Sequence, residues 1–269
     1  MFYDCHMHSA FSSDSKMLLT DAIQRASELN LGLCLTEHFD YNYLNLDYHE
    51  QDMDFRFDRE AYFREYEQYR SREVLLGVEV GLADENKAAN LEFIKDMPFD
   101  MVIGSVHTLE NHDLYYPGFY EGKTKDEIVE IYFSEMNRLL KENCHYIDVL
   151  GHIDYIFRYL PGEDKLINYP RYKGLIDKVL RTAIEHNVIL ELNTRRFDKK
   201  ENIQDLYPIY DRYHQMDAVY ITLGSDAHSV DAIGMHFPKA LDFMHEIGLH
   251  ALMFKERRNY DCFAHANLY

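Results

Sequence analysis

The chain is short of positive charge. Of its 269 residues, 28 are Lys or Arg and 47 are Asp or Glu, a formal net charge of -19. That deficit excludes a simple nucleic-acid binder, because no basic stripe is present to neutralise phosphates. Long apolar runs are also missing. Nothing approaches the roughly 18 consecutive apolar residues of a membrane span, so no membrane partner is expected. Cysteine is scarce: Cys5, Cys34, Cys144 and Cys262 are widely spaced and form no Cys-x-x-Cys pair. They read as reduced, buried thiols of a cytoplasmic protein rather than a disulfide framework. The opening Met1-Phe-Tyr-Asp-Cys-His6 lacks the basic and apolar regions of a secretory leader. No repeat, low-complexity tract or linker interrupts the chain, so one domain over 1–269 is expected. Tryptophan is absent, whereas the chain holds 15 His and 22 Tyr.

Short β-branched or apolar runs alternate with longer amphipathic stretches. The pattern predicts strands near 2–8, 31–37, 73–80, 100–106, 146–152, 187–193 and 218–225. Helical periodicity fills the intervals: Leu18 to Leu29 with Thr20 as N-cap, Phe57 to Tyr69, Glu85 to Lys95, Lys125 to Glu142, Tyr172 to His186, Ile203 to Tyr213 and Pro238 to Ile247. Strict alternation of strand and helix implies parallel strands with right-handed crossovers. Seven such units suggest an α/β fold closed as a distorted (β/α)7, TIM-like barrel; an open doubly wound sheet is the alternative. Three connections, 39–57, 108–123 and 154–170, are too long for plain turns. All follow strands, which puts them on the face where barrels carry active sites, as a lid or pocket wall.

The strand ends carry the chemistry. They read His6-Met-His8, Thr36-Glu-His38, Gly77-Val-Glu79, Gly104-Ser-Val-His107, Gly151-His152, Glu191-Leu-Asn193 and Gly224-Ser-Asp226-Ala-His228. Each offers a possible metal ligand. Side chains at i and i+2 of a strand share a face, so His6 pairs with His8 and Asp226 with His228. In a parallel barrel these ends meet at one rim, although they lie far apart in sequence. A lone His in a strand is more often a packed core residue, and Glu79 in an apolar run would suit half of a buried pair. Seven ends agreeing favours a metal site. Of the nine other histidines, His265 among them, His236, close after the seventh strand, is the one to watch.

These motifs resemble the polymerase-and-histidinol-phosphatase (PHP) family of metal-dependent phosphoesterases over nearly the whole chain. Within it, Asp113-Leu-Tyr-Tyr116, Asp148-Val-Leu-Gly-His-Ile-Asp-Tyr155 and Glu191-Leu-Asn-Thr194 are similar to the stand-alone histidinol-phosphate phosphatases. The resemblance implies two to three divalent ions, zinc, iron or manganese. It puts His6, His8, Glu79 and Asp226 on the first ion, Glu79 as a bridge with His107 and His152 on the second, and Asp14, His38 and His228 on the third. It implies hydrolysis of L-histidinol phosphate in histidine biosynthesis by attack of a metal-bridging hydroxide. Nucleotides or other small phosphate esters are the alternative substrates.

Phosphate monoesters hydrolyse so slowly uncatalysed that up to about 20 kcal/mol or more must be supplied. Three divalent ions set against Glu79, Asp226, Asp14 and one hydroxide would leave the pocket at about +2, which suits a phosphate dianion. Arg158 and one of Arg195 and Arg196 follow strand ends and suit phosphate oxygens, with surface salt bridges as the plainer role. Glu79, Asp226 and His228 are the catalytic candidates; a third ion, or a protonated Asp226 or His228, would stabilise the leaving alkoxide. Acidic, Tyr-rich loops would receive the ammonium and imidazole of a small phosphate ester. An amidohydrolase would be expected to carry a bridging Lys after the fourth strand, and a non-catalytic metal binder need not keep every ligand. The sequence leaves the oligomeric state open.

Overall fold

The computed structural model describes residues 1–262; His265 lies outside them. Strands and helices run β1 (Phe2–Asp4), α1 (Leu19–Glu28), β2 (Leu31–Phe39), α2 (Arg59–Tyr66), β3 (Val74–Gly81), α3 (Lys87–Ile94), β4 (Val102–Ser105), β5 (Thr108–Leu109), β6 (His112–Asp113), α4 (Lys125–Asn143), β7 (Val149–Leu150), α5 (Tyr169–Glu185), β8 (Ile189–Asn193), α6 (Lys200–Gln215), β9 (Tyr220–Gly224), α7 (Phe237–Ile247), β10 (His250–Lys255) and β11 (Arg258–Asp261). One sheet takes the order β1-β2-β3-β4-β7-β8-β9-β10-β11, parallel throughout except at β11, and β5–β6 form a separate hairpin.

Burial explains the composition of these strands. All eight residues of β3 are buried, which is why Val74-Leu-Leu-Gly-Val-Glu-Val-Gly81 reads as a nearly unbroken apolar run. The helices cover the outside with one apolar stripe each. In α5 the buried set includes Tyr169, Tyr172, Ile176, Val179, Leu180 and Ala183, at steps of one, three or four. Helix α4 starts on a capping box, in which Thr124 and Glu127 satisfy each other's backbone N–H. Helix α7 stops at Gly248, whose φ of 91° suits a residue without a Cβ.

The first and last parts of the barrel meet at the rim. Cys5 N–H donates to Leu223 O at 2.8 Å, Asp226 N–H to His6 O at 2.8 Å, and His8 N–H to Ala227 O at 2.9 Å. The other end of β9 is occupied by β10, where His250 pairs with Tyr220 and Leu252 with Thr222. The seven expected strands therefore close towards their C-terminal ends, while β10 wedges in below.

Three expectations change. An eighth parallel strand, β10, follows α7; Ala251-Leu-Met-Phe254 has no β-branched residue and carried no strand expectation. Thr20 lies inside α1, and Leu18 occupies the cap position without a side-chain hydrogen bond. The first strand spans only three residues and the fifth two, because the chain bends into the site as soon as the ladder ends. No helix among the described residues is long and apolar enough to cross a membrane.

Candidate metal centre and catalytic cleft

A single isolated bridge between Met7 and Ala227 sets His6 and His8 against Asp226 and His228. The chain reaches this point at a cost. Asp226 has φ 56°, a left-handed conformation worth about 1–3 kcal/mol of strain in a residue with a Cβ. Its backbone is held on both sides: its carbonyl accepts hydrogen bonds from His228 Nδ1 at 2.9 Å and Arg195 Nη1 at 2.8 Å. The neighbouring glycine is there for space. A Cβ on Gly224 would stand 2.3 Å from Glu191 Oε1 and 2.5 Å from His6 Cβ. A Cβ on Gly151 would meet Ser105 Oγ at 2.2 Å.

The expected ligands converge. Glu79 is completely buried and sits at the centre. Its Oε2 lies 3.1 Å from His6 Nε2, 3.6 Å from His8 Nε2 and 2.9 Å from His38 Nδ1. Its Oε1 lies 2.9 Å from His152 Nε2 and 3.3 Å from His107 Nε2, and accepts from Ser105 Oγ at 2.6 Å. Asp226 Oδ1 is 3.6 Å from His8 Nε2 and 3.9 Å from His6 Nε2. On the outer side, Asp14 Oδ2 lies 3.0 Å from His228 Nε2 and 3.5 Å from His38 Nε2. His38 thus stands between two groups, one ring nitrogen facing Glu79 and the other facing Asp14 and His228. Three sets of nitrogens and oxygens lie close enough to share an ion: His6, His8 and Glu79; His38, Glu79 and His107; His8, His38 and His228.

The far sides of these rings are fixed by residues that the sequence did not mark as supports: Asp40, Ser12 and Glu37 carried no expectation, and Glu191 stood only as a possible metal ligand. His6 Nδ1 donates to Glu191 Oε1 at 2.6 Å, and Glu191 Oε2 accepts the His152 N–H at 2.6 Å. His107 Nδ1 donates to Asp40 at 3.1 Å. His8 Nδ1 lies 3.3 Å from Ser12 Oγ, which itself donates to the buried Glu37. Such partners set ring orientation and tautomer and are a usual accompaniment of metal-binding histidines. The signal for two of them was present as spacing: Asp40 follows His38 by two residues, and Glu191 precedes Asn193 by two.

Whether these residues fit a metal is decided by the inward-facing atoms. His6 Nε2, His8 Nε2, His38 Nδ1 and Glu79 Oε2 are all buried, and although they lie close to one another none makes a well-directed hydrogen bond. Buried polar atoms are rarely left orphaned, and four of them face one another. The donor set of imidazoles and carboxylates without thiolate suits zinc, iron or manganese. The residues therefore fit divalent ions.

Titration points the same way. Burial would push His6 down, but Glu79, Glu191 and Asp226 outweigh it and raise it well above its ordinary value. Burial likewise opposes His38, yet Asp14 and Glu79 lift it to about 9. Glu79 is held well below the carboxylate range, since His6, His107 and His38 overcome its burial. Protons on these rings balance negative charge that a metal cation would otherwise balance. His8 differs: burial and its neighbours His38 and His228 push it well below its ordinary value, so its ring is neutral. For Asp226, burial raises the pKa, but His6, His8 and Arg158 bring it well below the usual range. A protonated Asp226 acting as acid does not fit this site.

Above the cage opens a cleft of about 410 Å³, within the range of small-molecule sites. All three long connections contribute walls, with Tyr43 and Phe55 from the first, Asp113 and Tyr116 from the second, and Tyr155 and Tyr159 from the third. Asp14, His38, His107, His152, Asp226 and His228 reach the cleft, as do Arg158 and Arg195. Arg158 Nη1 donates to Asp226 Oδ2 at 2.8 Å and Nη2 to Asn193 Oδ1 at 3.0 Å, leaving its Nε without a partner. Arg196 is the correction. Its guanidinium is buried outside the cleft, where it donates to Asp154 Oδ2 at 3.4 Å and Lys165 O at 2.9 Å, so it is not placed to meet substrate. His236 sits at the start of α7, also outside the lining. No lysine lines the cleft among the described residues, which removes the main expectation for an amidohydrolase.

Comparison with known proteins agrees with this geometry. The PHP domain family matches residues 4–195. A protein of Clostridium acetobutylicum named a probable histidinol-phosphatase is 42% identical over 258 residues, covering 96% of this chain and 98% of that protein. The histidinol-phosphatase of Lactococcus lactis subsp. lactis is 30% identical over 259 residues, covering 93% and 92%. The crystal structure of histidinol phosphate phosphatase from Lactococcus lactis, complexed with zinc, L-histidinol and phosphate, matches with a TM-score of 0.88 at 29% identity, over 96% of this chain and 98% of that one.

Proposed function

The chain belongs to the PHP-domain family, and from that premise we propose that it hydrolyses L-histidinol phosphate to L-histidinol and phosphate. It is a phosphoric monoester hydrolase of the histidinol-phosphatase type. The observation that carries this reading is the pairing of a buried histidine–carboxylate cage with a cleft whose mouth is acidic and aromatic. One end suits a phosphate dianion beside cations; the other suits an organic cation.

His6, His8, Glu79 and Asp226 would hold one divalent ion, and Glu79, His107 and His152 a second. Asp14, His38 and His228 would hold a third. Zinc is the reading favoured by the relative that binds it; iron and manganese suit the same donors. When bound, such ions acidify water, whose pKa falls from about 15.7 to about 7 beside zinc, and draw charge off phosphoryl oxygens.

The chain's own residues do the rest. Arg158 and Arg195, both on the cleft wall, orient phosphate oxygens. Asn193 accepts from Arg158 Nη2 and so keeps that guanidinium turned towards the cage. Glu191 and Asp40 hold the rings of His6 and His107 in place before substrate arrives, which spares reorganisation during the reaction. Tyr155 lines the cleft with its ring 4.8 Å from that of His152 and 5.2 Å from that of His107, an apolar face beside the cage. His228 lines the cleft; with no third ion on its Nε2, it is the side chain suited to give a proton to the departing oxygen, a task the third ion would otherwise take over by stabilising the alkoxide.

We read residues 1–269 as one barrel domain, supported by β9, β10 and β11 continuing the same sheet beyond the matched segment. Four free cysteines suit a reducing, cytoplasmic setting. Phosphate release by metal-loaded protein tests the substrate. Histidinol phosphate should be strongly preferred over mononucleotides and a phosphodiester, and preference for either of those rejects the reading.

A further inference from the structure

We propose that Asp113 is the specificity-determining residue that receives the substrate's ammonium group. The inference rests on the reading of the substrate as histidinol phosphate, and it deepens that reading.

Five carboxylates line the cleft, and four of them are held by side chains. Asp14 is paired with His228 at 3.0 Å, Asp40 with His107 at 3.1 Å and Asp226 with Arg158 at 2.8 Å. Glu50 accepts from the phenols of Tyr48 at 3.4 Å and Tyr116 at 3.3 Å. Asp113 accepts only the backbone N–H of Tyr115, at 2.8 Å, and faces no Lys or Arg among the described residues. His107 and His38 act on it only from a distance, and a partly buried carboxylate with no ion-pair partner in contact is costly. A cationic ligand would remove that cost.

Position identifies which cation. Asp113 ends the β5–β6 hairpin, paired across from Thr108, and the next residue is tied to the cage strand: Leu114 N–H donates to His107 O at 2.9 Å. The carboxylate is thereby held on the inner wall of the cleft. In histidinol phosphate the amine-bearing carbon adjoins the CH2 of the ester, so the ammonium stands only about 3–4 Å from the ester oxygen. With phosphate at the arginines and the cage, the ammonium belongs on the inner wall. The imidazole extends further out, towards Glu50 and the tyrosines of the rim.

The test uses the zinc-loaded full chain and two substrates: histidinol phosphate, and the deaminated ester 3-(imidazol-4-yl)propyl phosphate. Asp113→Asn should cut kcat/KM for histidinol phosphate about 30-fold or more, the lower end of what losing one member of a buried charge pair does. The loss should fall mainly in KM, and L-histidinol should weaken in parallel as an inhibitor. On the deaminated ester the effect should be at least about ten times smaller, and Asp113→Glu should recover part of the selectivity. Equal losses on the two esters, or no loss on either, overturn the inference while leaving the substrate standing. Wild-type enzyme that prefers mononucleotides to histidinol phosphate overturns both together.

Discussion

The two ends of this barrel treat buried charge in opposite ways. At the N-terminal end, Asp100 is fully buried and fully paired. It accepts Arg70 Nη2 at 2.6 Å and Nε at 3.1 Å, and the backbone N–H groups of Leu76 and Glu256, each at 2.9 Å. Nearby, Asp148 accepts from Val102 N–H at 2.8 Å and from Arg257 Nε. The turn that joins β10 to β11 is thus fastened over the bottom of the barrel. At the C-terminal end, Glu79 is equally buried, yet its Oε2 and three facing imidazole nitrogens make no well-directed hydrogen bond. A saturated buried charge is structure; a buried carboxylate ringed by imidazoles without well-directed hydrogen bonds suits a bound cation.

Substitutions at the centre of each end should separate these roles, and the largest effect belongs at the rim. Glu79→Gln should cut turnover at least about 100-fold, because it removes the charge that the two proposed ion positions would share. The thermal midpoint of the metal-free variant should fall little if at all. Near-normal turnover in this variant would erase the contrast.

At the bottom, Asp100→Ala should do the reverse. Leaving Arg70 and two backbone donors without a partner should cost about 3–5 kcal/mol of stability by denaturant titration. The kcat of the folded fraction should stay within a factor of about two. A variant that keeps its stability would show that the saturated cluster is not what fastens the hairpin.

The adjacent arginines repeat the comparison within two residues. Arg195→Ala should raise KM for histidinol phosphate about ten-fold, measured by initial rates. Arg196→Ala should instead lower stability, since it strands Asp154 in a buried position. The sequence pointed to this pair without separating them. The difference arises in the one-turn helix Thr194–Arg196, which sends successive side chains in different directions.

Other residues divide along similar lines. Glu79, His107 and His152 were readable because each ends an apolar run that has only one way to lie in a parallel sheet. The supporting role of Asp40 and Glu191 was not: their spacing puts them on the site's face, but they act through rings donated by other strands, and spacing within one strand does not name that partner. β10 was missed for want of β-branched residues, and its place depends on the free edge of β9 below the point where β1 departs. The strained backbone of Asp226 could not be read at all; it follows from closure against His6.

The smallest effect concerns pH. Burial raises Asp113 to about 6, with the Tyr115 N–H and His107 opposing. Only its ionised form attracts an ammonium group, so selectivity should be low below that value and rise as pH passes upward through it. The ratio of kcat/KM for histidinol phosphate to that for its deaminated ester isolates this change, since phosphate and imidazole titrate in both. A ratio that is flat between about pH 5 and 7.5 would detach Asp113 from selectivity and leave the contrast between the barrel ends untouched.

The central claim is that the unsaturated rim holds divalent ions and the saturated base holds none. Elemental analysis of active, dialysed protein measures this directly. We expect about two to three equivalents of zinc, iron or manganese per chain, falling in Glu79→Gln and unchanged in Asp100→Ala. Full phosphatase activity from protein with less than about one-tenth of an equivalent of any such metal would contradict it.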